Sequence, residues 1–165
     1  MPLVNFETLP NEARAWVFAA AAPVTGAAAV ALLAMVDDHL RAWRAHGAPL
    51  VCAREWRDDR FLVVAVDEAA TGASGCSIDA LFHALRAIEG QVGSSLVASG
   101  QLYWRDASGL VQVSDRPSFR AFAAAGRVAG DTSVFDTTIT SVGAWRAGFE
   151  RKAADSWHAR FLVAS

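Results

Sequence analysis

The run of apolar residues Phe61-Leu62-Val63-Val64-Ala65-Val66 constrains this chain more than any other segment. Side chains alternate across a strand, so this run presents apolar groups to both sides and needs cover on both. It predicts a central strand. The run stops at Asp67-Glu68 and follows Arg57-Asp58-Asp59-Arg60, a polar connection of hairpin length. On the far side of that connection Leu50 to Trp56 reads as a second strand, antiparallel to the first.

Cover for these strands is written at helical spacing. Val30, Leu33, Val36, Leu40 and Trp43 recur every three or four residues, with Asp37, Arg41 and Arg44 on the other side. His46-Gly47-Ala48-Pro49 is expected to end that helix, with Gly47 in the left-handed cap and Pro49 barring continuation. A second stripe, Ile78, Leu81, Leu85, Ile88 and Val92, predicts a helix from about Cys76 to Val92. Ahead of both, Arg14 to Ala21 reads as a strand closed by Pro23-Val24-Thr25-Gly26. No charge occurs from Ala15 to Val36, yet the alanine content and this turn break the stretch into strand, turn and helix, and no membrane span is expected. Glu7 and Glu12 without any Lys or Arg are the reverse of a signal peptide's start. Two cysteines, Cys52 and Cys76, do not make a disulfide framework, and the expected setting is cytoplasmic.

In the second half, Gln101 to Arg105 and Leu110 to Val113 flank a turn at Asp106-Ala107-Ser108-Gly109. A short helix follows, opened by Asp115 and Pro117 and stopped by Gly126. Thr132 to Thr140 reads as a strand, Val142, Trp145 and Phe149 as a last helix, and Asp155 to Phe161 as a docked tail. The whole predicts one α+β domain over residues 1–165, with a mostly antiparallel sheet and helices on one face. The order of the first half, βαββαβ, matches a ferredoxin-like arrangement with a C-terminal α/β extension. With 15 basic and 17 acidic residues and no block of like charge, the chain has nothing with which to grip a phosphate backbone.

The densest polar constellation runs from Asp67 to Arg86. If Cys76 opens a helix, its thiol meets unpaired amides and the positive end of the dipole, while Asp79, His83 and Arg86 share the face opposite the apolar stripe. Cys76 and His83 stand seven positions apart, roughly 10 Å along a helix, too far for a direct dyad. Asp79 and His83 can meet at i,i+4. A histidine for Cys76 must come from elsewhere, as His46 or His158. The small residues Gly72-Ala73-Ser74-Gly75 also suit an anion cradle at a helix N-terminus, and are equally an ordinary strand-to-helix turn. A Walker A loop is absent, because the only lysine, Lys152, follows Arg151. No metal site is expected, since no His, Cys or acid falls at ligand spacing.

If the tail is extended, His158 and Arg160 lie on one face and Trp157 and Phe161 on the other, so the basic pair can hold a carboxylate or phosphate. Six tryptophans add the prospect of an aromatic interface.

The strings Asn11 to Val17, Ala45 to Leu50, Arg60 to Glu68, Gly72 to Asp79, Asp131 to Asp136 and Asp155 to Phe161 resemble a bacterial family of no established activity. Its members often carry the label ABC transporter ATPase, which the missing phosphate-binding lysine contradicts here. The resemblance implies a free-standing cytosolic protein, with Gly75 to Asp79 and Ser156 to Arg160 as recognisable motifs.

Three readings of function follow. The leading one is a ligand-binding or regulatory domain for an anionic small molecule, held by Asp67, Gly75, Ser77, Asp79, His83 and Arg160. An enzyme reading makes Cys76 a nucleophile, His158 or His46 its base, and the amides of the Gly75 turn an oxyanion cradle. The third is a protein-interaction module or homodimer.

Overall fold

A computed structural model describes residues 3–163. The chain is α+β with antiparallel strand pairing throughout its named sheets. Its contacts group into two compact units, Met1–Val97 with Thr138–Arg146, and Ala98–Thr137 with Ala147–Ser165.

In the first unit, strand β1 (Arg14–Ala19) leads into helix α1 (Gly26–Arg41). Two short strands, β2 (Arg44–Ala45) and β3 (Ala48–Pro49), precede the hairpin of β4 (Val51–Arg57) and β5 (Phe61–Asp67). Helix α2 (Gly75–Val92) follows. The sheet order is β1-β5-β4, so the apolar run is the middle strand, and Phe61 through Val66 are all fully buried. At the hairpin, Asp58 and Asp59 both take φ of 56°, the left-handed pair that a tight type I′ connection demands.

Alternation divides the cover. Leu62, Val64 and Val66, with Phe18 and Cys52, pack against Leu32, Val36 and Leu40 of α1 and Leu81, Leu85 and Ile88 of α2. The opposite side of the sheet carries Phe61, Val63 and Ala65, and Glu55 lies opposite Val63 in register. Over that side sits helix α4 (Val142–Gly148), whose Trp145 indole N–H donates to Glu55 Oε2 at 2.7 Å. The two long helices thus share one face, and a short one takes the other.

Two expectations need correction here. The helix ends at Arg41, and Gly47, with φ of 78°, turns the β2–β3 hairpin beside His46 at φ 51° in place of capping the helix. The fourth strand of a ferredoxin-like sheet does not join: residues 102–105 enter a separate sheet, and the outer edge of β1 is met at Arg14 by Ser141. Val142 and Gly143 donate their N–H groups to Ala13 and Asn11 at 2.9 Å each. A Cβ on Gly143 would stand 3.1 Å from the Asn11 carbonyl oxygen, so glycine permits this close docking.

The second unit has a sheet of order β7-β6-β8-β9, from β6 (Leu102–Arg105), β7 (Val111–Ser114), β8 (Ser133–Phe135) and β9 (Glu150–Lys152). Helix α3 (Arg116–Ala124) starts from Asp115, whose carboxylate accepts the Ser118 N–H at 2.8 Å. The core gathers Leu102, Trp104, Phe119, Val134 and Phe161. Arg105 reaches across Phe135 to grip Glu150 through Nε and Nη2, at 2.8 and 3.1 Å.

Strand β4 is an edge with a definite polarity. The Cys52 carbonyl accepts the Val4 N–H at 2.8 Å, so the backbone groups of residue 52, and by alternation those of Arg54 and Trp56, face away from β5. Amide exchange followed by NMR should therefore alternate, with Ala53 and Glu55 protected at least about tenfold more than Arg54 and Trp56. Equal protection along the strand would refute this edge assignment.

Candidate functional site

The constellation expected between Asp67 and Arg86 forms the start of α2 and the loop before it. Ser74 Oγ accepts the Ser77 N–H at 3.1 Å and Ser77 Oγ accepts the Ser74 N–H at 2.7 Å, a reciprocal capping box. Ser77 is buried, and its carbonyl receives the Trp43 indole N–H at 2.7 Å, which ties the helix start to the core. Asp67 ends β5 and accepts the Ala69 N–H at 3.0 Å. Glu68 accepts the Ala73 N–H at 2.9 Å, so the glycine loop already carries a negative charge of its own. Gly75 and Cys76 open the helix, and Cys76, Asp79 and His83 are exposed along its outer face. Both cysteines are free, and burial raises the Cys52 thiol to about 12. His46 sits exposed at the β2–β3 turn.

The tail is helical, so the extended geometry on which the pairing of His158 with Arg160 was conditional does not occur. Residues Trp157–Phe161 form a 3-10 helix, whose period of three puts His158 and Phe161 together in the core and leaves Arg160 outside. The basic pair is therefore split. His158 is 0 % exposed, stacks on Trp157 with ring centroids 3.8 Å apart, and meets the Ser156 hydroxyl at Nδ1, 2.8 Å away. Its Nε2 is buried without a hydrogen-bond partner. Burial lowers its pKa to about 4, against a smaller upward pull from Asp136 and a further downward push from Arg160. Arg160 lies over the Trp157 and Phe161 rings and donates to the Trp157 carbonyl at 3.2 Å. Cys76 belongs to the first unit, and His158 and Arg160 belong to the second.

A different feature gathers unsatisfied groups, along the open edge of β4. After Val4 the N-terminal segment leaves the sheet: Asn5 caps a 3-10 helix, Phe6–Thr8, by accepting the Glu7 N–H at 3.1 Å. Arg146 of α4 pins this segment, donating to the carbonyls of Leu9 at 2.8 Å and Phe6 at 3.3 Å and to Asn11 Oδ1 at 2.9 Å. Between the diverging segment and β4 run two clefts of about 480 and 490 Å³, both bordered by Phe6, Glu7, Glu55 and Trp56. One extends to Leu33 and Asp37 of α1, the other to Trp145.

The side chains around these clefts are fixed. Arg54 grips Asp37 through two hydrogen bonds of 2.8 and 2.9 Å, and these bonds raise its pKa above the ordinary arginine range. The Trp145 and Phe6 rings meet edge to face at 6.5 Å. Trp56 is the exception in this set, because its indole Nε1 is buried with no acceptor. An orphaned buried donor costs about 1–3 kcal/mol. The sequence carried a partial signal for this edge: Arg54-Glu55-Trp56-Arg57 is polar or amphipathic on both alternations, as suits an edge strand, beside a partner apolar on both.

No family model, curated protein or solved structure matches this chain. Among the described residues no helix is long and apolar enough to cross a membrane, and no group of three or more His, Cys, Asp or Glu could hold a metal ion.

Two outcomes follow from these environments. Ser74→Ala removes the cap acceptor and should cost about 1 kcal/mol in urea unfolding, with Ser74→Asp retaining most of it. His158 keeps a depressed pKa of about 4 against an ordinary 6.5, so the unfolded chain binds its proton first as pH falls. Stability from this group is complete above about pH 6.5 and is lost as pH falls toward about 4. Urea titrations of the full chain should lose about 2 kcal/mol from this source between about pH 7 and pH 5. His158→Phe should flatten that slope, and an unchanged slope would dismiss the buried imidazole as its origin.

Proposed function

We propose that the chain is a binding module that accepts a short extended segment of a partner along the open edge of β4. The observation that carries this reading is the coincidence, in one cleft, of outward backbone groups on Arg54 and Trp56 with the acceptor-less indole of Trp56. An added strand takes its affinity from main-chain hydrogen bonds and its selectivity from pockets for alternate side chains. Here the edge supplies the N–H and C=O of two residues, with clefts on both sides of the pleat for the flanking side chains. Arg146 and the Arg54–Asp37 pair hold the walls in place before binding, which lowers the ordering cost of association.

The edge also limits the occupant. Leu3 already bridges Cys52, and the Phe6–Thr8 turn lies alongside β4 with Cα atoms within 8 Å, which leaves room for a segment of a few residues at most. The small-anion reading draws less support, since the α2 start is self-capped and its loop carries Glu68. The thiol-enzyme reading has in Cys76 an exposed sulfur and in His158 a buried base.

Selection of a phage-displayed linear heptapeptide library on the full chain tests the proposal. Binders should raise protection of the Arg54 and Trp56 amides and shift the Trp56 indole proton in ¹⁵N spectra, with the α2 start unmoved. Failure to select any binder, or binders that perturb Gly75 to Asp79 instead, would discard the edge as the binding surface.

A further inference from the structure

We infer that the segment bound along β4 carries a lysine or arginine whose charged end is read by Glu55 and Glu7; this rests on the strand-addition role proposed above. The inference comes from which charges around the cleft are already committed. Two of the cations are ion-paired, Arg54 on Asp37 and Arg57 on Asp58 at 2.9 Å, while Arg146, among the described residues, bonds only neutral oxygens and keeps its charge. The two acids have no ion pair. Glu55 spends Oε2 on the Trp145 indole and has no ion pair among the described residues, and Glu7 is exposed with none either. The cleft of about 490 Å³ that both border therefore sets two carboxylates against the one guanidinium of Arg146, beside the Trp145 ring, while Arg146 itself lies over the Phe6 ring at 5.9 Å. Carboxylates next to aromatic rings suit a cationic side chain, through both ion pairing and the ring faces.

Register fixes where that side chain sits. Glu55 points to the α4 side of the sheet, while Arg54 and Trp56 point to the α1 side. On an added strand, the residue beside Glu55 projects to the same face, within reach of its carboxylate. The residues before and after it project to the other face, toward Trp56 and Leu33, where apolar groups fit. The recognised pattern is thus apolar, basic, apolar over three consecutive residues.

Peptides recovered from the linear heptapeptide library, synthesised with their basic residue intact or replaced by Met, provide the test. The basic versions should bind the wild-type chain about three- to tenfold more tightly than the Met versions. Glu55→Gln, which still accepts the Trp145 N–H, should erase that difference without weakening the Met peptides. Glu7→Gln, on the exposed rim and free of folding consequences, should reduce it in part. Peptides that protect the Arg54 and Trp56 amides but show no basic preference would overturn the charge inference and leave strand addition standing. Peptides that bind without protecting those amides would overturn the underlying reading. Sedimentation at two concentrations covers the remaining occupant: self-association that protects the same amides would make a second copy of this chain, not a basic segment, the natural partner.

Discussion

Everything in the first unit is arranged around the demand that β5 be dry on both faces. A strand with Leu62, Val64 and Val66 on one side and Phe61, Val63 and Ala65 on the other gains its burial energy only if both layers are built. The chain builds one from α1 and α2, which are long and amphipathic. The other layer includes a short helix fetched from much later in the sequence, anchored by Trp145 on Glu55 and by Arg146 on the carbonyls of the N-terminal segment. The same anchors set Phe6 and Glu7 beside β4 without strand pairing. Covering the central strand and leaving the outer one ajar are two results of one set of contacts.

That opening sets the chemistry of the candidate site. Two other buried indoles find partners, Trp43 on the Ser77 carbonyl and Trp104 on the Ser114 hydroxyl, whereas the buried Nε2 atoms of His39 and His158 do not. At β4 the backbone of Arg54 and Trp56 faces a cleft in place of a partner, and the Trp56 indole nitrogen is buried without an acceptor. The Arg54–Asp37 pair and the Glu55–Trp145 bond hold the surrounding side chains, while the Glu55 and Glu7 carboxylates stand without an ion pair among the described residues. A surface of this kind discriminates by geometry and charge more than by area.

Much of the fold was legible because its main elements are long enough for a period to register. The stripe Ile78–Leu81–Leu85–Ile88 spans several turns and the apolar run of β5 is unambiguous in its need for cover, while the α1 stripe was half right, with Val36 and Leu40 buried, Val30 exposed and Leu32 in its place. Shorter pieces were not legible. The strands 44–45, 48–49 and 150–152 are too brief for alternation to be seen, so Gly47 was assigned to a helix cap when it turns a hairpin. The tail failed for the same reason: over five residues, a period of two and a period of three place Phe161 alike but send His158 to opposite sides. The candidate edge was half visible in Arg54 to Arg57. The lone indole of Trp56 was not, because whether a buried donor has an acceptor depends on segments folded from far away in the sequence.

The segment from Thr138 to Arg146 groups with the first unit, yet the strands on either side of it, Ser133–Phe135 and Glu150–Lys152, pair with each other in the second. The polypeptide accordingly passes from one unit to the other three times. Emerging from a ribosome, the first hundred residues hold a half-roofed sheet that waits for Trp145 while an unrelated sheet is being made in between. Neither half corresponds to a continuous stretch that could be cut out and expressed alone, and a premature stop after Val97 would release a sheet with one greasy side still bare.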